Sequence, residues 1–77
     1  MMAVIDKEMK VIDEFDVSEG YKLKLQVGKY KGVEKIDLRL WVDNAGNSEY
    51  APTKRGINFN AEWLDRFIEM VEKLKSI

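Results

Sequence analysis

The chain has 77 residues, with 13 Lys and Arg against 14 Asp and Glu, a net charge of −1, no His and no Cys. That length allows one small domain, which buries only roughly 60% of its unfolded surface and gains from pairing with a second copy. The lack of His and Cys removes the commonest general base, the commonest metal ligand, disulfides and thiolate chemistry.

No apolar run approaches the ~20 residues of a membrane span. The charged stretch Met1–Lys10 lacks the apolar run of a signal peptide. A cytoplasmic protein, free or associated with the nucleoid, is the expectation. Residues 1–10 have no settled period and read as a flexible lead-in or the start of a first strand; residues 11–77 read as a single domain. Charge is uneven along the chain. Between Gly20 and Gly56 eight cations stand against four acids, a local +4, which leaves −5 for the two ends. Such a split can put a basic surface on an acidic chain. The plainer reading is a mixed, soluble surface.

Val11 to Val17 alternates, with Val11, Phe15 and Val17 inward, and predicts the first strand. Ser18-Glu19-Gly20 is a turn, because Gly20 tolerates positive φ. Tyr21 to Tyr30 predicts the second strand, with Leu23, Leu25 and Val27 toward the core and Lys22, Lys24 and Gln26 outward. Lys31-Gly32 reverses the chain into a third strand, Val33 to Asp43, giving an antiparallel hairpin. Ile36, Leu38, Leu40 and Val42 line one face of that strand; Lys35, Asp37, Arg39, Trp41 and Asp43 line the other. Asp43 to Ser48 is turn chemistry. Glu49 to Phe59 predicts a fourth strand, interrupted or at an edge because Pro52 cannot donate to a ladder. Within it Lys54-Arg55-Gly56 is a basic step in which glycine permits an unusual backbone or a close approach.

Asn60 suits an N-cap, and Glu62 in the first turn suits the helix dipole. A helix from about Ala61 to Lys75 follows, with Trp63, Leu64, Phe67, Ile68, Val71 and Leu74 on one stripe. Trp63 and Phe67 read as core. One helix covers one face of the sheet and leaves the other open. The fold class is α+β, a four-stranded antiparallel curved sheet followed by one C-terminal helix (ββββα), as a homodimer.

The open face gathers Lys22, Lys24, Gln26, Lys35, Arg39 and Trp41, with Lys29, Tyr30 and Lys31 at the hairpin end and Lys54 and Arg55 beside it. Rings among cations suit single-stranded nucleic acid, since rings stack on bases while cations follow phosphates. Trp41 has a second reading as a core or interface residue, because a bulge would swap its face. Tyr30 and the Lys54-Arg55 step also read as ordinary turn residues. No Asp/Glu spacing matches a metal loop, no acid–base set appears, and the glycines form no phosphate cradle. Neither enzyme activity, a metal nor a cofactor is expected. The reading from another class is a protein–protein module docking through the sheet face and the spare apolar residues Met70 and Ile77.

The run Tyr30-Lys31-Gly32, then Ile36-Asp37-Leu38-Arg39, Trp41, Asp43 and Gly46, then Pro52-Thr53-Lys54-Arg55-Gly56-Ile57, leads into Asn60-Ala61-Glu62-Trp63. It resembles the C-terminal domain of the transcriptional coactivator positive cofactor four, especially its short bacterial relatives, over roughly Leu23 to Leu74. The resemblance implies a dimer whose two sheets form channels for single strands or melted duplex, largely without sequence preference. It implies stacking by Tyr30 and Trp41 and backbone contacts by Lys31, Arg39, Lys54 and Arg55, with Lys22, Lys24 and Lys35 on the same surface. Single-stranded DNA, with RNA also open, is the implied ligand; transcription regulation, replication or repair is the implied setting, with proteins of transcription or repair as candidate partners. The strand through Trp41 is one residue shorter than the eukaryotic pattern before its turn. The serine-rich acidic arm of the eukaryotic coactivator is not in the sequence, so a eukaryotic coactivator role is not carried over.

Overall fold

The computed structural model describes residues 9–77. The expected lead-in over 1–10 therefore lies, up to residue 8, outside the described residues. Strands β1 (Lys10–Ser18), β2 (Tyr21–Tyr30), β3 (Val33–Val42) and β4 (Ala51–Asn60) form one antiparallel sheet in the order β1-β2-β3-β4. A 3₁₀ turn over Ala61–Trp63 leads into α1 (Leu64–Glu72), which ends in a second 3₁₀ turn, Lys73–Ser76.

The β2–β3 hairpin is the regular centre. Its ten residue pairs run without a break from Tyr21↔Val42 to Tyr30↔Val33. Lys31 and Gly32 both have positive φ, 54° and 80°. Two such residues make the tight turn whose twist matches that of the flanking strands, so the turn fixes the register. With that register set, Leu23, Leu25 and Val27 oppose Leu40, Leu38 and Ile36 on one face.

The outer strands are less regular. β1 has register shifts between Val11 and Asp13 and between Asp16 and Ser18. The residue inserted at Ile12 turns Val11 onto the face of Gln26, its partner, instead of the apolar face expected from strict alternation. All nine residues of β1 are exposed. β4 has an excursion. Arg39 pairs with Gly56 and Trp41 with Pro52, so Thr53, Lys54 and Arg55 together oppose Leu40. Gly56 is needed where this excursion rejoins the ladder, because a Cβ there would meet the Leu38 carbonyl oxygen and the Arg39 backbone. The loop from β3 to β4 winds around Asp43. Its carboxylate accepts the backbone N–H groups of Gly46 (2.9 Å), Asn47 (3.2 Å) and Ser48 (2.8 Å), and its own N–H donates to the Gly20 carbonyl at 2.9 Å.

Among the described residues the buried apolar side chains are Ile36 and Phe59, cross-strand partners on β3 and β4. The helix meets the sheet at this point. The Phe59 ring lies 4.8 Å from that of Phe67 and 6.4 Å from that of Trp63, centroid to centroid. Beyond that point the expected cover is not seen. Trp63 is 57% exposed, and Leu64, Ile68, Met70, Val71 and Leu74 are exposed as well. The stripe is amphipathic as expected, but one chain supplies too little surface to bury it.

Candidate nucleic-acid interface

The register dictates which side chains share the polar face. Lys22 opposes Trp41, Lys24 opposes Arg39, Gln26 opposes Asp37 and Gly28 opposes Lys35. On the flanks, Glu14 and Asp16 of β1 oppose Lys24 and Lys22, and Asn58 and Asn60 of β4 oppose Asp37 and Lys35. Two regions of different character result.

The first is a half-buried corner around Trp41. The Lys24 ammonium sits 4.1 Å from the Trp41 ring centroid and 3.7 Å from Glu14 Oε1. Lys22 Nζ lies 3.2 Å from Asp16 Oδ1 and 4.0 Å from Glu14 Oε2, and 5.2 Å from the Tyr50 ring centroid. Its hydrogen bond to Asp16, joined by the charges of Asp16 and Glu14, raises the Lys22 pKa above its ordinary 10.5. Trp41 is half-buried, and its Nε1 is buried with no partner among the described residues. Lys54 and Arg55 are exposed on the β4 excursion, next in the ladder to Trp41.

The second region is a buried polar clasp. Arg39 donates from Nε to both carboxylate oxygens of Asp37 (3.2 and 3.1 Å), from Nη2 to Oδ1 (2.8 Å), and from Nη1 to the Thr53 carbonyl (2.9 Å). Asn58 Nδ2 adds a donor to Asp37 Oδ1 at 3.3 Å. Arg39 is 7% exposed and Asp37 3%. Gln26, opposite Asp37, is also buried, and its Oε1 has no partner among the described residues. Lys35 donates to Asn60 Oδ1 at 2.6 Å. Asn60 thus caps the Ala61–Trp63 3₁₀ turn without a side-chain cap bond, and the N-cap of α1 is Trp63 instead of the expected Asn60.

At the far end of the hairpin Tyr30 and Lys31 are exposed, with Lys31 Nζ 5.4 Å from the Tyr30 ring centroid. Lys29 pairs with Glu34 and shares a face with Val27, so alternation puts it on the side opposite Lys22, Lys24 and Gln26. Of the residues expected in one site, Lys22, Lys24 and Trp41 come together, and Lys54 and Arg55 lie on the excursion that follows Pro52, the partner of Trp41. Lys35 and Gln26 lie further along the same face, Tyr30 and Lys31 at its end, and Arg39 within it.

Residues 17–70 match the family model of the Transcriptional Coactivator p15 (PC4). The chain belongs to this family. Two crystal forms of a PC4 homolog from Burkholderia pseudomallei share its fold. One is 24% identical with a TM-score of 0.80, covering 88% of this chain and 98% of the homolog. The other is 26% identical with a TM-score of 0.76, covering 90% and 92%. A bacteriophage T5 homolog of the eukaryotic transcription coactivator PC4, described as implicated in recombination-dependent DNA replication, is 25% identical, with a TM-score of 0.70, covering 90% of this chain and 78% of its own. No curated protein matches the chain.

In this PC4-family chain the sequence pattern missed the structural partners of the cations. Glu14, Asp16, Asp37, Thr53 and Asn58 all hold basic or polar groups of the face. The signal for Asp37 was present in its spacing of two from Arg39 on one strand, which puts acid and base side by side on one face. The carboxylates of β1 were readable from alternation about Phe15.

Proposed function

We propose that this PC4-family chain binds single-stranded DNA, largely without sequence preference, as a homodimer. The observation that carries the reading is the Trp41 corner, where an aromatic ring on the polar sheet face stands 4.1 Å from the Lys24 ammonium and opposite Lys22, with Lys54 and Arg55 exposed on the adjoining β4 excursion. A ring offers every base the same π-face, and cations following the backbone take no account of sequence. The family assignment supports the reading, as does the phage relative's implication in recombination-dependent DNA replication. Replication, recombination or repair is the favoured setting, with transcription regulation next, and RNA is the second candidate ligand.

The homodimer is supported by apolar surface. The helix and the apolar sheet face leave Phe15, Ile57, Trp63, Ile68, Val71 and Leu74 exposed, more than a monomer of this size ordinarily shows to water. A second copy, presenting the same patch, would cover it by two-fold symmetry.

The test is a titration of intrinsic tryptophan fluorescence with a 20-mer of dT, a 20-mer of rU and matched duplex, each at two salt concentrations. Quenching by the single strands that weakens with salt and is smaller for duplex supports stacking on Trp41. A flat trace together with unchanged anisotropy of a labelled strand would sink the nucleic-acid reading and leave a protein-docking module.

A further inference from the structure

An arginine on a basic, strand-binding face is ordinarily assigned to phosphate. Arg39 is built differently. Each of its three guanidinium nitrogens donates within the chain, two to Asp37 and one to the Thr53 carbonyl, and its side chain is 8% exposed. Turning the fork outward to a phosphate would strand the Asp37 carboxylate, 3% exposed, as a buried charge without its cation. Lys54 and Arg55, by contrast, are exposed, and no ion pair engages either among the described residues.

The Thr53 end of the clasp is where the β4 excursion begins. Thr53 Oγ1 donates to the Leu40 carbonyl at 2.7 Å and accepts the Arg55 N–H at 3.1 Å. A continuous set of bonds therefore runs from Asn58 through Asp37, Arg39 and Thr53 to the backbone of Arg55. Three unpaired residues opposite one would otherwise lack a ladder to hold them. On the β3 side the same clasp sits two residues before Trp41.

We propose that Arg39 is a positioning residue and not a phosphate contact. Clamped by Asp37, it fixes the Thr53–Arg55 excursion so that Lys54 and Arg55 meet the strand bound at Trp41; this rests on the single-strand reading above. Arginine suits the task because its planar fork grips a carboxylate and a carbonyl at once, which a lysine ammonium on a flexible stem does not reproduce.

The experiment measures binding of labelled 20-mer dT to the full chain across a salt series, for Arg39→Lys, for the neutral pair Asp37→Asn with Arg39→Gln, and for both in a Lys54→Ala, Arg55→Ala background. Circular dichroism and melting confirm the fold, and the neutral pair keeps a hydrogen-bonded couple should the lysine variant misfold. The expected result is a loss of about 5-fold or more for Arg39→Lys although its charge is kept. The same loss should shrink below about 2-fold in the Lys54/Arg55 background, as for residues coupled in one network. Wild-type affinity for Arg39→Lys would overturn the proposal. So would equal losses in both backgrounds with a salt slope lowered by about 0.7, the signature of one lost phosphate contact. Amide exchange at Arg55, measured without nucleic acid, should quicken in both Arg39 variants, and unchanged exchange would also defeat the idea. That readout separates the clasp from the function, since a wild-type chain that ignores dT defeats the strand reading alone.

Discussion

Trp41→Ala isolates the ring from the charges around it. Stacking of a base on an aromatic contributes roughly 1–3 kcal/mol. Part of that is offset here, because the Lys24 ammonium already sits 4.1 Å from the ring centroid and must leave before a base can enter. A cation–π contact at an exposed site is worth about 0.5–1 kcal/mol. The net loss on removing the ring is then about 1–2 kcal/mol, or roughly 5- to 30-fold in Kd. The ring carries no charge, so the slope of log K against log salt should stay as in the wild type. Anisotropy of a labelled 20-mer of dT over a salt series reads both quantities, with circular dichroism to confirm the fold. A change in Kd below 2-fold in a folded variant would refute stacking at this position. A shallower slope would mean instead that the substitution disturbed Lys22 or Lys24.

The carboxylates of β1 restrain the lysines, so Glu14→Gln with Asp16→Asn should tighten binding to dT and steepen the salt slope by up to about 0.7 for each lysine released; the same salt series measures it. Lys22 should titrate above 10.5 because of Asp16. Its folded value is raised, so the pair's stabilising effect is present below the unfolded pKa and fades as pH rises through the folded one; Asp16→Asn should return the Lys22 resonance to the ordinary range in an NMR titration. Phe59→Ala removes the ring on which Phe67 and Trp63 rest and should cost about 3–5 kcal/mol, read as a lowered urea midpoint. Equilibrium sedimentation of the wild type should give the mass of the proposed dimer and Ile68→Glu with Leu74→Glu that of a monomer; a variant that stayed dimeric would move the interface off this helix face.

The central hairpin was legible because three independent signals agreed. Alternation in Tyr21–Tyr30 and Val33–Val42 set the faces, Lys31-Gly32 supplied the two positive φ angles, and the apolar set faced one way. The break in β4 was legible too, from Pro52 and Gly56, though not its size of three residues against one. Two features were not. Asp37 and Arg39 share a face in any strand, but whether they point at water or at each other depends on how sheet curvature and β4 enclose them, a matter of tertiary geometry. The helix stripe announces that something apolar will cover it and cannot say which chain provides the cover. Val11 misled because one inserted residue at Ile12 reverses every side chain beyond it.

The thin apolar core makes abundance part of this protein's physics. With Ile36 and Phe59 as the buried apolar side chains among the described residues, a solitary chain has little free energy with which to oppose its own conformational entropy. Stability drawn from association obeys mass action, rising with the logarithm of concentration. If the chain pairs as proposed, its proposed strand-binding face would be furnished only where enough copies accumulate. Dilution would both dissociate and unfold it, so the supply of the protein would govern the existence of its site as well as its occupancy.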